Sequence, residues 1–329
     1  MSEALKYRVL TLRGGPNCTH KHGKGNNETM RILLSGSHGL VGAALKVKLE
    51  AEGHEVVPLV RYTPGYNSNE IEWNPETYSI ALARLEGFDA VVHLAGESIA
   101  EGRWTEERKR RIRESRIRGT QLLTETLSSL KNPPLTFLCA SAIGFYGNRA
   151  DQILTEQSSP GSDFLAGVCV EWEQASAEAA QKGIRVCNLR FGIILDAHAG
   201  ALAKMLPPFR MGIGGKIGTG RQWMSWISLA DVLSAITFLM GEQGITGAVN
   251  VVSPNPVTNA EFTRTLGKVV SRPTFFAVPA FGARLAFGEM ADALLLTSQR
   301  VVPTRLQEAD FHFEYPQLEP ALRHILMAS

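Results

Sequence analysis

The sequence predicts an α/β fold: a doubly wound parallel sheet with a smaller mixed C-terminal lobe. Three observations predict it. Short apolar runs alternate with helix-length periodic segments from residue 30 to residue 191, the pattern of strand–helix–strand units in a parallel sheet. The first apolar run feeds three glycines, Gly36, Gly39 and Gly42. After Phe191 the texture changes, and glycine and proline crowd residues 207–220.

The run at 32–34 predicts the first strand, the segment ending at Gly53 a helix, and 55–60 the second strand. This is the opening of a Rossmann sheet, and its physics suits a dinucleotide. Gly36 permits the tight turn, Gly39 lets backbone approach a pyrophosphate, and Gly42 lets the helix pack closely on the strand. The helix start offers unpaired N–H groups and the positive end of its dipole to phosphates. Gly36, Ser37, His38, Gly39, Leu40, Val41 and Gly42 are therefore the predicted cofactor cradle. The second strand ends on Arg61 with no carboxylate. An acidic residue there would bond the ribose hydroxyls of NAD, whereas an arginine faces the 2′-phosphate of NADP, with which a guanidinium pairs well. The predicted cofactor is NADP(H).

The remaining elements follow in order. Residues 90–94 form a buried strand running into Ala95-Gly96-Glu97, 105–130 a long charged helix, and 135–140 a strand. Residues 163–182 form a helix with Trp172 on its apolar face, and 185–191 another strand. Residues 207–220 read as loop and short strand over a cleft. Ser228-Leu-Ala-Asp231 and Thr258-Asn-Ala-Glu261 open helices as capping boxes, and 248–252 return to the sheet. The tail from Pro273, with its Phe311-to-Tyr315 cluster, predicts a small mixed lobe. The domain organisation expected is a disordered extension at 1–29, an NADP-binding domain at 30–195 plus about 221–252, and a C-terminal substrate lobe at about 196–220 and 253–329.

Composition narrows the class. The 329 residues are 44% hydrophobic and 20% charged, ordinary for a globular protein. A net charge of +2 shows no bias toward nucleic acid, and the basic run Arg108-Lys109-Arg110-Arg111 alternates with acids as a solvated helix face does. No apolar stretch spans a membrane, and residues 1–29 hold no signal-peptide core. The four cysteines, at 18, 139, 169 and 187, form no closely spaced pair, which fits a reducing, cytoplasmic setting. Cys18, His20 and His22 read as part of a loose tail rather than a metal site, and no metal is expected.

The chain also resembles a known family. The motifs are Gly36-Ser-His-Gly-Leu-Val-Gly42, His93-Leu-Ala-Gly-Glu97, Ser115-Arg-Ile-Arg-Gly-Thr120, Ser141-Ala-Ile-Gly-Phe-Tyr-Gly147, Leu189-Arg-Phe-Gly192 and Trp226-Ile-Ser-Leu-Ala-Asp231, with Gly288-Glu-Met-Ala-Asp292 and Gln299-Arg-Val-Val-Pro303 in the tail. Over residues 30–329 these are similar to the extended short-chain dehydrogenase/reductases of the NAD-dependent epimerase/dehydratase superfamily. The likeness extends to an atypical "epimerase family protein" branch with its own C-terminal domain.

The resemblance implies that Leu94 and Ala95 face the adenosine ribose, that Arg111 and Arg116 reach toward the cofactor, and that Ile194 lies near the nicotinamide. It further implies a small-molecule substrate in the cleft between lobes, in a monomer or homodimer.

The resemblance fails at the catalytic groups. Family members carry Ser, Tyr and Lys, the tyrosine moving the proton and the lysine lowering its pKa. With Glu173 taken as the acid that follows the lysine, Cys169 falls at the Lys position and Leu165 at the Tyr position. The Ser position is Ala142, with Ser141 adjacent. Neither leucine nor cysteine can do those jobs. Two classes stay open: an NADP(H)-dependent oxidoreductase or nucleotide-sugar epimerase-like enzyme using Tyr146, Ser141 or Glu97, and a non-catalytic NADP(H)-binding sensor or scaffold.

Overall fold

The computed structural model describes residues 29–61 and 69–327; the N-terminal extension and the Cys18, His20 and His22 cluster lie outside the described residues. Eight strands make one sheet: β1 (Arg31–Ser35), β2 (Glu55–Val60), β3 (Ile71–Asn74), β4 (Ser79–Ile80), β5 (Ala90–His93), β6 (Thr136–Ala142), β7 (Arg185–Phe191) and β8 (Gly247–Val251). Their order is β8-β7-β6-β5-β1-β2-β3-β4, parallel throughout except for the antiparallel β3–β4 edge. The predicted doubly wound sheet is observed, with β3 and β4 as an addition. The direction of winding reverses between β1 and β5, which pair in parallel with Ser35 opposite His93. Ligands of such sheets bind in the crevice outside the carboxyl ends at this reversal.

Both faces of the sheet are covered, so its strands read as unbroken apolar runs. On one face α1 (Leu40–Ala51) and α5 (Leu229–Gly241) press Leu45, Leu49, Val232 and Ile236 onto Ile32, Leu34 and Val92. On the other, α2 (Glu106–Ser129) and α3 (Phe164–Ala177) press Leu123, Leu127 and Trp172 onto Leu33, Val91 and Phe137. The alternation of Ile32, Leu33 and Leu34 between faces is the period-2 geometry of a strand.

The second lobe has its own core. Leu202, Leu206 and Phe209 of α4 (Gly200–Arg210), Phe262 and Leu266 of α6 (Asn259–Val269) and Leu322 of the C-terminal helix Leu318–Met327 close around Trp226. The segment expected to be loop from 207 instead continues α4 to Arg210, with Pro207 and Pro208 inside its last turn. Burying Leu206 and Phe209 on one face outweighs the proline penalty there. The expected short strand is Gly215–Ile217, paired in parallel with Phe276–Val278.

Both capping boxes form: Ser228 Oγ accepts from the Asp231 N–H at 3.0 Å, and Thr258 Oγ1 from the Glu261 N–H at 3.2 Å. Asp231 does more than cap. Fully buried, it accepts from Ser228 Oγ (2.8 Å), Glu314 N (2.7 Å) and Tyr315 N (3.1 Å). This clamp brings the tail back onto the sheet domain, where Phe311 packs 5.3 Å from the Phe238 ring.

Candidate functional site

The glycine turn joins Ser35 to Leu40. Gly36 has φ +74°, and a Cβ there would lie 2.8 Å from the Leu94 carbonyl carbon. At Gly42 a Cβ would meet the Gly36 oxygen at 2.1 Å. Gly36 is thus required by its backbone angle and by β5, and Gly42 by the closeness of α1 to the turn. Gly39 is the N-cap of α1, with no side-chain cap, and the N–H groups of Leu40, Val41 and Gly42 have no acceptor among the described residues. Ser37 Oγ is buried without a partner, while His38 is exposed. Donors left unpaired at a helix start form a ready anion cradle. Beside it Leu40, Ile194 and Gly200 converge: a Cβ on Gly200 would lie 3.4 Å from Leu40 Cδ2 and 3.7 Å from the Ile194 oxygen.

A polar floor lies beneath the crevice. Ser35 Oγ accepts from the N–H groups of Leu94 (3.1 Å) and Ala95 (3.3 Å) and bonds His93 Nδ1 at 2.6 Å. His93 Nε2 meets Thr120 Oγ1 at 3.1 Å, and Thr120 Oγ1 also accepts from Trp172 Nε1 and donates to the Arg116 carbonyl. One hydrogen pattern satisfies every bond: Ser35 donates to a neutral imidazole, whose Nε2–H donates to Thr120. Full burial pushes the His93 pKa down to about 4, which keeps it neutral. The sequence reading passed over His93; the available signal was one histidine closing an otherwise apolar strand.

At the carboxyl edge of β2 a cleft is lined by Arg61, Arg111 and Arg118, with Trp73, Pro75, Ala95 and Gly96 as its apolar and backbone walls. Glu76, Glu97, Glu114 and Ser115 complete the rim. Arg61 and Arg111 were expected near the cofactor and do share this cleft; Arg118, whose Nη2 donates to the Glu76 carbonyl at 3.0 Å, was missed. It stands seven residues beyond Arg111 on α2, the spacing of one helix face.

The candidate proton-transfer groups lie elsewhere. Ser141 is 2% exposed and donates to Glu173 Oε1 at 2.7 Å. Glu173 holds Arg190 through two bonds of 2.7 and 2.8 Å, and Arg190 Nη1 donates to Tyr146 Oη at 2.9 Å. Tyr146 Oη in turn donates to Asn250 Oδ1 at 2.7 Å. Tyr146 has no exposed surface, and burial raises its pKa against the pull of Arg190. The structure therefore ties Ser141 and Tyr146 into one buried network rather than presenting them to the cleft. Glu97 does line the cleft, ion-paired to Arg108 and 4.0 Å from Arg111 Nε, with Ser115 Oγ accepting from its N–H. Leu165 packs with Trp104, Phe164, Met290 and Leu294 in the apolar cluster that joins the two lobes. The Cys169 thiol is buried, and burial pushes its pKa up to about 12. Among the described residues no three His, Cys, Asp or Glu side chains group as a metal site, and no helix is long and apolar enough to cross a membrane.

Comparison with known proteins agrees with this geometry. The profile of the NAD dependent epimerase/dehydratase family matches residues 32–251, and that of a domain of unknown function, DUF1731, matches residues 278–325. The chain is 42% identical over 291 residues to the epimerase family protein Mb2239 of Mycobacterium bovis, covering 88% of this chain and 96% of that protein. It is 34% identical over 300 residues to the Homo sapiens epimerase family protein SDR39U1, covering 90% and 100%. The crystal structure of human SDR39U1 (isoform 2) with NADPH superposes with a TM-score of 0.83 at 32% identity, over 91% of this chain and 100% of that one. With its glycine turn, its doubly wound sheet and its added C-terminal domain, the chain belongs to the NAD-dependent epimerase/dehydratase family.

Proposed function

We propose that the protein binds NADP(H) in preference to NAD(H) and uses it as an oxidoreductase or nucleotide-sugar epimerase-like enzyme. The substrate would be a small molecule between the carboxyl edge of the sheet and the C-terminal lobe. The observation that carries this reading is the meeting of Arg61, Arg111 and Arg118 in one cleft beside the glycine turn. A 2′-phosphate placed there would meet several guanidinium donors, whereas NADH would leave them unpaired. The NADPH in the human relative's structure supports the choice. Ser37 Oγ and the N–H groups at the start of α1 would receive the pyrophosphate. A nicotinamide, when bound, supplies the hydride donor or acceptor. The side chains of the cleft bind and orient, and Glu97 is its candidate for holding a proton.

Calorimetry tests the preference. NADPH should bind one to two decades more tightly than NADH, matching a charged hydrogen bond of roughly 1.5–3 kcal/mol. Arg61→Ala and Arg118→Ala should erode that margin. Equal affinities in the unaltered protein would sink it.

A second reading, a sensor or scaffold that binds NADP(H) without turnover, is favoured by the burial of Ser141 and Tyr146 and by Leu165 and Cys169 at the proton-transfer positions. Deuterated NADPH separates the two. An enzyme passes label to a carbonyl compound or to a nucleotide sugar such as a UDP-hexose, and a sensor passes none.

A further inference from the structure

Arg116 carries a charge that nothing in the protein answers. Its side chain leaves α2 and runs under Gly96, just beyond the carboxyl end of β5: a Cβ on Gly96 would lie 3.5 Å from its Cζ and 3.6 Å from its Nη2. Cζ stands 5.1 Å from the centre of the Trp172 ring, and Nη1 donates to the Ile112 carbonyl at 3.0 Å. Among the described residues no carboxylate pairs with it, and Nε and Nη2 have no acceptor. Glu97, the nearest acid it feels, is already paired with Arg108 and approached by Arg111, so three guanidinium groups share one carboxylate. Burial lowers the pKa of Arg116, yet a guanidinium does not give up its proton in the accessible range. The neighbouring Cys169 thiol is protonated and offers no counter-charge.

A desolvated cation is costly unless it is paired, and one carbonyl with one aromatic face answers only part of that cost. The remaining donors sit at the reversal of the sheet, where ligands of this architecture bind. We propose that Arg116 receives an anionic oxygen group of the bound ligand. That group is either a phosphate of the dinucleotide or a carboxylate or phosphate of the substrate. The inference rests on the reading that the crevice beside the glycine turn holds a dinucleotide.

The test uses the full chain with Arg116→Gln and Arg116→Lys. NADPH is titrated into each by calorimetry, and inorganic phosphate is then titrated into each NADPH-saturated protein. If the dinucleotide supplies the anion, Arg116→Gln weakens NADPH at least tenfold and Arg116→Lys by less. If the substrate supplies it, NADPH affinity stays within twofold, while phosphate binds the unaltered complex and at least tenfold more weakly to the Arg116→Gln complex. The ligand-free melting temperature of Arg116→Gln should match or exceed that of the unaltered protein, because an unanswered charge has been removed. Unchanged NADPH affinity together with no Arg116-dependent phosphate binding overturns the inference, as does a variant that melts early or fails to fold, which would make Arg116 a structural prop. Failure of the unaltered protein to bind NADPH would instead overturn the dinucleotide reading on which it rests.

Discussion

Gly42 and Cys169 show how single residues divide between site and scaffold. A methyl group at Gly42 would sit 2.1 Å from the Gly36 oxygen, which is backbone and cannot swing aside. Gly42→Ala should therefore push α1 off the turn, costing roughly 1–3 kcal/mol of stability as overpacking does. The same shift should weaken NADPH binding; urea unfolding and calorimetry measure the two losses, and an unaffected protein would show that the turn tolerates a side chain. Cys169 stands at a position where relatives place a reactive cation, yet its thiol is buried and its pKa is about 12. It should resist alkylation by iodoacetamide in the native state at pH 7.5 and react on unfolding. Cys169→Ala should cost about 1–2 kcal/mol of packing and leave NADPH affinity within twofold. Both residues were legible in the sequence, Gly42 from its spacing and Cys169 from the missing Tyr-x-x-x-Lys pattern. Ser141 and Tyr146 were not legible. Their partners Glu173, Arg190 and Asn250 come from three other elements, and no local pattern tells a packing tyrosine from a reacting one.

Elements are held in place by clamps that local sequence only half announces. Ser228 and Asp231 read as a helix start and form one, but Asp231 also binds the Glu314 and Tyr315 N–H groups more than eighty residues away. Asp231→Ala should leave those two donors unanswered and remove the cap, a loss of about 3 kcal/mol from a charged acceptor in the interior. The melting temperature should fall, and proteolysis should free the 311–327 segment first. A loss confined to that of an ordinary exposed cap would mean that the tail docks through Phe311 and Phe313 alone. The helices α1, α2, α3 and α5 were legible because each carries an apolar face and three open with a cap or a glycine. The extension of α4 through Pro207 and Pro208 was not, because burial of Leu206 and Phe209 in the second lobe decided it.

At the scale of the molecule, the crevice stands on a neutral histidine. In the unfolded chain His93 titrates near 6.5, and in the folded protein near 4. Above pH 6.5 both states are neutral and His93 contributes no pH dependence. As pH falls from 6.5 toward 4, the unfolded chain takes up a proton that the folded one refuses, so stability should drop by up to about 3 kcal/mol. Urea unfolding at pH 7, 5.5 and 4 checks this, with His93→Gln as the variant expected to flatten the slope. An unchanged slope in that variant would assign the acid sensitivity to other groups.

The sequence by itself determined the alternation of strands and helices, the glycine turn, the arginine ending β2 and the absence of the usual proton-transfer pair. All of these are local patterns, read within one strand–turn–helix span. Only the tertiary structure decided that Arg118 joins Arg61 and Arg111, that Ser35, His93, Thr120 and Trp172 share one buried floor, and that Tyr146 points inward. Each of those depends on which strands become neighbours when the winding of the sheet reverses between β1 and β5, a pairing between residues tens of positions apart that no local propensity encodes.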